Sequence, residues 1–214
     1  MALPDSNGHK PRGRRPDPAK RQAVFEAARD AFFELGYGAS MDAIAARAGV
    51  SKQTIYNLFA SKEELFAAAI AETSSAMIAP LTDHPPDTPP ATVLTALARQ
   101  YMEVVLAERS IELVRTLAVQ RAQFPELIRA FYRAGPANTL ARTAGYLAEE
   151  TALGRLAVRD PVLAAEQFFG MLAGPNHLRM VLGIAEPPAQ EERERRIAAC
   201  VEAFLKAHGV PPPG

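Results

Sequence analysis

The chain has 214 residues, which is enough for one domain of ordinary size with a small companion and too few for a large multidomain enzyme. Its 41 alanines and 20 leucines are strong helix formers, and they predict an all-α fold. The 24 lysines and arginines equal the 24 aspartates and glutamates in number, so the formal net charge is zero. A protein that coats polyanions or membranes through its overall charge is therefore excluded, and any surface that binds nucleic acid must be local.

The cysteine and histidine content argues against metal and disulfide chemistry. Cys200 is the one cysteine, so the chain cannot form an internal disulfide, and we expect its thiol to be buried and inert. This cysteine content fits a protein of the reducing cytoplasm. The histidines are too scattered for a helical metal site, and we expect neither a metal nor a cofactor. No apolar run reaches the length of about 18 residues that a membrane span needs, and the polar start does not resemble a signal peptide.

The N-terminal segment, residues 1–16, is basic, contains several Gly and Pro residues and almost lacks apolar side chains. Such a composition cannot form a core, so the segment is predicted to be a disordered arm. Asp17 and Pro18 then form a good N-cap and first-turn pair, and apolar residues recur at helical spacing up to Gly36. A first helix is predicted over this stretch.

Two short helices are predicted around a glycine turn. The first runs from Met41 to Ala48 behind a Ser40 cap, and the second runs from Lys52 to Phe59 behind a Ser51 cap. Gly49 supplies the positive φ of the turn between them. Such a pair is a helix-turn-helix, and a longer helix follows it, opened by a Ser61–Glu64 capping box and ending by Pro80.

The second short helix carries the candidate binding residues. Ile44 and Ala48 of the first helix can pack on Ile55 and Leu58 of the second, with Val50 in the corner between them. That packing leaves an outward set of hydrogen-bonding side chains, which are suited to base edges and phosphates: Lys52, Gln53, Thr54, Tyr56 and Asn57. An ordinary surface helix more often shows Glu and Lys pairs, so this pattern favours DNA binding.

Residues 18 to 70 resemble the N-terminal DNA-binding domain of the TetR family of transcriptional regulators. The resemblance is carried by Phe32 or Phe33 with Gly36-Tyr37, by Ser40, Ile44-Ala45, Ala48 to Ser51 and Tyr56 to Phe59, and by Lys62 to Leu65. It implies that Ser40, Tyr56 and Lys62 bind phosphates, that Lys52, Gln53, Thr54 and Asn57 read the major groove, and that Arg14 and Arg15 reach an adjacent minor groove. Ser51, the cap of the second short helix, is also predicted to be a DNA-binding residue. An idle surface role for Gln53, a packing role for Tyr56 and a solubility role for the arm are the alternatives.

The segment from Asp83 to Pro90 holds four prolines in eight residues, and we interpret it as a stiff linker between two lobes. Beyond it, helices are predicted over residues 91–107, 110–123, 125–134, 136–153, 161–182 and 189–208, several of them starting at proline. The predicted domains are therefore the arm at 1–16, a three-helix helix-turn-helix domain with its following helix at 17–80, a linker at 81–90 and a helical bundle at 91–210.

Residues 113 to 183 are similar to the C-terminal domain of AefR-like members of the same family, with RAQFPELIRAFYRAGP as the clearest stretch. This resemblance implies a domain for dimerisation and effector binding. The predicted dimer seam combines the small-residue face of Gly170 and Gly174 with the apolar stripe of Ile197, Val201, Phe204 and Leu205. A helix kink at Pro175 is the alternative for the glycine pair.

The effector pocket is predicted from adaptable apolar side chains near isolated polar groups. These candidates are Met102, Phe124, Phe131, Phe168 and Met171 with Arg115, Arg121, Asn138 and His177. Ordinary core packing is the alternative for the apolar members and for His177. Ion pairs with Glu112 or Glu126 are the alternative for the two arginines.

The sequence therefore predicts a homodimeric, ligand-responsive repressor that binds a palindromic operator in double-stranded DNA and is released by a small, mainly apolar effector. The competing hypothesis is a DNA-bound protein of the same fold that recruits a protein partner without any effector. An enzymatic function is not expected, because no acid, base or metal set clusters in the sequence.

Overall fold

The computed structural model describes residues 18–209, and this part of the chain folds into ten α-helices. Its one β-type contact is an isolated bridge between Leu156 and Gly209, so the predicted all-α fold is confirmed. The helices are α1 Pro18–Leu35, α2 Met41–Arg47, α3 Lys52–Leu58, α4 Lys62–Ile78, α5 Pro90–Val105, α6 Glu108–Gln120, α7 Pro125–Tyr132, α8 Asn138–Ala152, α9 Pro161–Val181 and α10 Gln190–His208. The predicted arm at 1–16, with Arg14 and Arg15, lies outside the described residues.

Serine caps and one glycine fix the first four helices as the sequence predicts. The Oγ atoms of Ser40, Ser51 and Ser61 each accept a hydrogen bond at 3.1 Å from the backbone N–H three residues later. Gly49 has a φ of +64°, as its place in the turn requires. The Ser61–Glu64 capping box differs in one detail, because the Glu64 carboxylate accepts from the N–H of Ala60 at 2.6 Å rather than from that of Ser61.

Prolines begin several helices and interrupt two regions. Pro90, Pro125 and Pro161 each lie in the first turn of a helix, where the missing N–H costs no hydrogen bond. Pro136 does not start α8 as expected, because α7 passes into α8 through a π-helical turn at Arg133–Ala137 that absorbs the proline. Pro175 lies inside α9, next to a non-helical Gly174.

The first hydrophobic core joins α1, α2, α3 and the first half of α4. Phe32, Ile44 and Ile55 are fully buried there. Leu113 and Leu117 of α6 and Leu127 of α7 belong to the same core. Helices α6 and α7, from beyond the Pro-rich segment, therefore pack directly on α1 and α4, which flank the helix-turn-helix, and the domain boundaries derived from the sequence stay a prediction.

The second core joins the end of α4 with α5, α8, α9 and α10. Here the structure corrects the predicted dimer seam. Ile197, Val201 and Phe204 are between 1% and 6% exposed in the single chain, and the Phe204 ring lies 5.2 Å from that of Phe168. Because these three side chains already fill the core of their own protomer, they leave little surface for a dimer contact. Leu205 packs partly against the same core.

The Pro-rich segment is fixed to the second core. Arg155 Nη1 donates to the carbonyl of Pro86 at 2.7 Å, and its other guanidinium nitrogens bind the carboxylate of Glu150 at 2.6 and 2.7 Å. Glu150 is 2% exposed, so Arg155 supplies the counter-charge that its burial demands.

Candidate DNA-binding surface and internal cavity

Helix α3 is held at a fixed angle to α2 by buried packing and by the glycine turn. Ile44 and Ile55 meet in the first core, and the N–H of Val50 donates to the carbonyl of Ala45 at 3.0 Å. Gly49 lies between these helices without another atom within 4 Å of the position a Cβ would take. The turn therefore presents the opposite face of α3 to solvent.

The outward face of α3 carries the polar residues that the sequence singled out. Lys52, Gln53, Tyr56 and Asn57 are exposed, and Tyr56 is 44% exposed rather than packed inside. Gln53 Nε2 donates to Asn57 Oδ1 at 3.0 Å, which aligns two amides along the helix. Thr54 is half-buried, and its hydroxyl is hydrogen-bonded to that of Ser51 at 2.9 Å.

Two basic side chains near this face are paired with acids in the chain alone. Lys52 Nζ lies 2.8 Å from Asp42 Oδ2, and this hydrogen bond raises the pKa of Lys52. Arg47 Nη2 lies 2.8 Å from Glu34 Oε2. Both pairs are exposed, and such pairs contribute little to stability. A phosphate group can therefore replace either carboxylate at small cost.

The start of α4 is tied to the turn that follows α1. Lys62 Nζ donates to the carbonyl of Tyr37 and lies 4.1 Å from the centre of its ring. Partial burial lowers the pKa of Lys62. The Tyr37 hydroxyl donates to Glu63, which lowers the pKa of that carboxyl, while burial raises the pKa of Tyr37. Lys62 thus has a structural contact in addition to the phosphate contact that the resemblance implies.

A cavity of about 540 Å³ lies between the two cores. Its walls are mainly apolar and come from α1, α4, α5, α6, α9 and the α7–α8 connection. The lining residues are Phe33, Ile70, Thr73, Ser74, Met77, Tyr101, Val104, Val105, Ser110, Leu113, Val114, Phe131, Tyr132, Gly135, Pro136, Thr139, Leu140, Glu166, Phe169, Gly170, Ala173 and His177. A cavity of this volume and character matches the general properties of small-molecule sites.

The polar groups at the cavity fall into two kinds. Ser74 and Thr139 share a hydrogen bond of 3.0 Å, and Asn138 Nδ2 donates to Ser74 Oγ at 3.2 Å, so these groups satisfy one another. Tyr101 packs its ring 4.5 Å from that of Phe169, and burial raises its pKa to about 12. His177 is half-buried, and burial lowers its pKa. Both side chains keep a neutral form near pH 7.

Two of the predicted pocket residues, Phe131 and His177, line the cavity. Asn138 does not line it but donates a hydrogen bond to Ser74, which does. The other predicted pocket residues do not line this cavity. Met102 and Phe168 are core residues, and Met171 lines grooves on the outer side of α9. Sequence reasoning missed the contributions of α4 and α5, although Thr73-Ser74 within an apolar helix was a usable signal.

The two arginines and Phe124 also lie away from the cavity. Arg115 donates to the carbonyl of Met180 and, at 2.8 Å, to that of Val181, and it pairs with Glu112. Arg121 is exposed and reaches only the carbonyl of Ala118 at 3.5 Å. The Phe124 ring packs 5.5 Å from that of Tyr37. The two arginines therefore donate hydrogen bonds to backbone carbonyl groups, and Phe124 contributes to packing.

The outer face of α9 and α10 combines small and apolar exposed residues with a charged end formed by Glu192, Arg195 and Arg196. Ala199, Ala203 and Ala207 of α10 are exposed beside Gly170 of α9, and Met171 lies in the groove between these helices. Leu163 and Leu178 of α9 and Leu182, which directly follows this helix, are 47%, 59% and 62% exposed. Gly174 lies against Arg196 of α10, which lines one of these grooves. Cys200 is buried beneath it, and burial raises the pKa of its thiol.

Within residues 18–209, no cluster of three or more His, Cys, Asp or Glu side chains is arranged to hold a metal ion. In the same range, no helix combines the length and the apolar character needed to cross a bilayer.

Comparison with protein families assigns both halves of the chain. Residues 24–69 match the family described as bacterial regulatory proteins of the tetR family. Residues 92–210 match the C-terminal domain of AefR-like transcriptional repressors.

Individual relatives agree with these matches. The transcriptional regulator RutR of Escherichia coli K12 is 34% identical over 87 residues, which span 40% of this chain and 41% of RutR. The crystal structure of a TetR-family regulator from Mesorhizobium loti MAFF303099 is 32% identical, with a TM-score of 0.74 over 91% of this chain and 100% of that one. The flavonoid-responsive regulator FrrA is 36% identical, with a TM-score of 0.67 over 92% of this chain and 100% of its own.

Proposed function

Because this chain belongs to the TetR family of bacterial transcriptional regulators, we propose that it is a ligand-responsive repressor that binds a palindromic operator as a homodimer. The family consists of regulators rather than enzymes. The observation that carries the proposal is that one helix, α4, follows the DNA-reading helix-turn-helix directly and also lines the internal cavity. We place the protein in the cytoplasm, where its DNA is found.

The DNA-reading part of the proposal rests on α3. Its outward side chains are exposed amides, a phenol and a lysine, and amides and lysines are the groups that form bidentate or phosphate contacts in a major groove. Ser40 and Tyr56 flank this face as phosphate ligands, and Lys52 can exchange its exposed carboxylate partner for DNA. Arg14 and Arg15 remain proposed minor-groove contacts.

The dimer part rests on the outer face of α9 and α10, which replaces the buried stripe of the original prediction. Ala199, Ala203, Ala207 and Gly170 allow a second copy to approach closely, and the exposed leucines of α9 supply apolar area. A two-fold axis through this face gives a four-helix seam and an operator with two half-sites.

The effector part rests on the cavity. Its apolar lining favours a mainly apolar small molecule, and its aromatic walls agree with the flavonoid response named for FrrA. Phe33 of α1 and Ile70 of α4 line the cavity and also belong to the first core. A bound ligand would therefore touch the helices that support the helix-turn-helix.

The alternative, a DNA-bound protein that recruits a partner without an effector, needs no cavity between the cores. A half-open, mainly apolar cavity of about 540 Å³ has the volume and lining of a small-molecule site. The cavity therefore favours the effector hypothesis over the alternative.

The decisive experiment is selection of bound fragments from random and genomic DNA by the purified full chain. We expect one inverted-repeat motif with half-sites about one helical turn apart. Recovery of fragments without a shared motif, or with an unrepeated single half-site, would contradict the proposal.

A further inference from the structure

We propose that His177 is the polar recognition point of the cavity, which takes an uncharged aromatic molecule with a hydroxyl or carbonyl group and rejects anions. This inference rests on the proposed function, because it names the chemical class of the effector. Three observations support it: the break in α9 at Gly174, the unused hydrogen-bonding groups of His177, and the charged residues in and near the cavity lining.

The break in α9 lies next to the cavity wall. Glu166, Phe169, Gly170, Ala173 and His177 all line the cavity, and their spacing of three or four residues makes one face of α9 into a wall. Gly174 has φ +51° and ψ −162°, and Pro175 has no N–H to donate to the preceding turn. The helix is therefore interrupted one turn before His177, whose imidazole lines the cavity together with Phe169 and Ala173.

His177 has hydrogen-bonding capacity that the protein leaves unused. Its burial favours the neutral imidazole, which has one N–H donor and one acceptor nitrogen. The imidazole makes no hydrogen bond to any other residue between 18 and 209, whereas Ser74 and Thr139 across the cavity satisfy each other. A half-buried donor and acceptor in an apolar wall are best matched by a ligand hydroxyl or carbonyl.

The rest of the lining selects for aromatic character. Five carbon rings surround the space, and they belong to Phe33, Tyr101, Phe131, Tyr132 and Phe169. Aromatic side chains favour edge-to-face or offset contacts with another ring, which gives a flat ligand an advantage over an alkyl chain of equal area.

Charge disfavours an anionic ligand. Among the lining residues, Glu166 is the one charged side chain, and no lysine or arginine lines the cavity. The nearby arginines lie outside the lining: Arg109 is 5.7 Å from the Phe33 ring, Arg115 binds two carbonyls, and Arg196 faces Gly174. An anion would lose its water without gaining a cation. Glu166 is exposed, so water screens its attraction for cations.

Equilibrium dialysis of the full chain against matched probes tests this inference directly. The probes are 4-hydroxybiphenyl, biphenyl, biphenyl-4-carboxylate and 4-(aminomethyl)biphenyl, which share one aromatic body and differ in the polar group. We expect 4-hydroxybiphenyl to bind about three- to tenfold more tightly than biphenyl, the gain of one hydrogen bond. The carboxylate should bind at least about tenfold more weakly than the phenol, because its charge stays unpaired.

Three variants assign the recognition to a residue. His177→Phe keeps a ring but removes the nitrogens, and it should abolish the preference for the phenol over biphenyl. Tyr101→Phe removes the hydroxyl of a lining residue that packs on Phe169 of α9, and His84→Phe makes the same change as His177→Phe in the Pro-rich segment, outside the cavity. Both should keep the preference.

The inference is overturned if no probe binds, if biphenyl, the carboxylate or the amine binds as tightly as the phenol, or if the preference for the phenol is kept in His177→Phe or lost in Tyr101→Phe. Operator binding is measured separately with each bound probe. A phenol that binds through His177 without changing operator affinity would support the inference and contradict the proposed function.

Discussion

Gln53 is the residue on α3 whose substitution most directly tests base reading. Its amide is exposed and aligned with that of Asn57, and a bidentate amide contact is worth about 1–3 kcal/mol of discrimination at one base pair. We expect Gln53→Ala to relax the base preference at one position of each half-site, as measured by sequencing selected fragments. Gln22→Ala removes a similar exposed pair, to Glu26 at 3.1 Å on α1, and should leave the preference unchanged. An unaltered preference after substitution at every outward polar position of α3 would contradict the assignment.

Lys62 tests the phosphate contacts. Its amino group is held by the Tyr37 carbonyl and ring at the first turn of α4. We expect Lys62→Ala to weaken binding to all sequences alike and to reduce the slope of log affinity against log salt by about one, because one phosphate contact is lost. Tyr37→Phe is the control, since it removes the hydroxyl contact with Glu63 and keeps the lysine. An altered base preference, or an unchanged salt slope, in Lys62→Ala would argue against the contact.

Single residues were predictable where local chemistry decides their role. The serine caps and the positive φ of Gly49 depend on a few neighbouring residues, and all were found. The stripe of Ile197, Val201 and Phe204 was assigned to a dimer seam and is instead covered by its own chain, because an apolar stripe does not reveal whether its own chain or a second copy covers it. The cavity residues missed on α4 and α5 are brought together only by packing between distant segments.

At the scale of elements, the turn after α1 packs on α6 through Gly36 and Thr116. Gly36 has φ +58°, and a Cβ there would lie 2.4 Å from Thr116 Cγ2. Gly49 has φ +64° with open space around it, so Gly49→Ala should cost only the backbone strain of about 1–2 kcal/mol. We expect Gly36→Ala to lower the free energy of unfolding by more than Gly49→Ala, as measured by denaturant titration. Thr116→Ser should recover the excess in the double variant, and equal costs for both glycines would contradict the close contact.

The helices themselves were predicted well because prolines and caps mark their ends. Pro90, Pro125 and Pro161 begin helices close to where the sequence places them. Pro136 was the exception, because a π-helical turn can carry a proline when packing against α4 holds it, and Gly135 lies against Ile70 there. Sequence spacing contains no information on that packing.

At the scale of the whole molecule, the dimer seam is tested by charge at an exposed position. Ala203→Arg places a cation in the outer face of α9 and α10 without disturbing the core, so it should give folded monomers. Ala141→Arg, on an exposed part of α8, should remain dimeric. Val201→Arg buries its charge inside the protomer and should unfold the chain. Sedimentation measures the oligomeric state of each variant, and circular dichroism measures whether it is folded. A monomeric native protein at micromolar concentration would contradict the seam.

The proposed communication between the cavity and DNA would involve the whole chain. Phe33 and Ile70 join the cavity wall to the first core, while Phe169 and His177 belong to a wall on α9. A ligand that pushes on both walls changes the position of α1 and α4 relative to the dimer seam. The spacing of the two α3 helices, and with it operator affinity, would then depend on whether the cavity is filled.

The expected coupling is about 1–3 kcal/mol, or roughly 5-fold to 150-fold in operator affinity, and it must be reciprocal, so operator DNA should weaken ligand binding by the same factor. Titrating a bound ligand with and without operator measures this factor. Phe33→Leu removes an aromatic contact on the wall shared with the helix-turn-helix and should reduce the coupling more than the ligand affinity. Phe169→Leu makes the same change on α9, so it should reduce ligand affinity and leave the coupling factor intact. A ligand that binds in the cavity with identical affinity in the presence and absence of operator would contradict the effector hypothesis, because a molecule that does not distinguish the two states cannot shift the equilibrium between them.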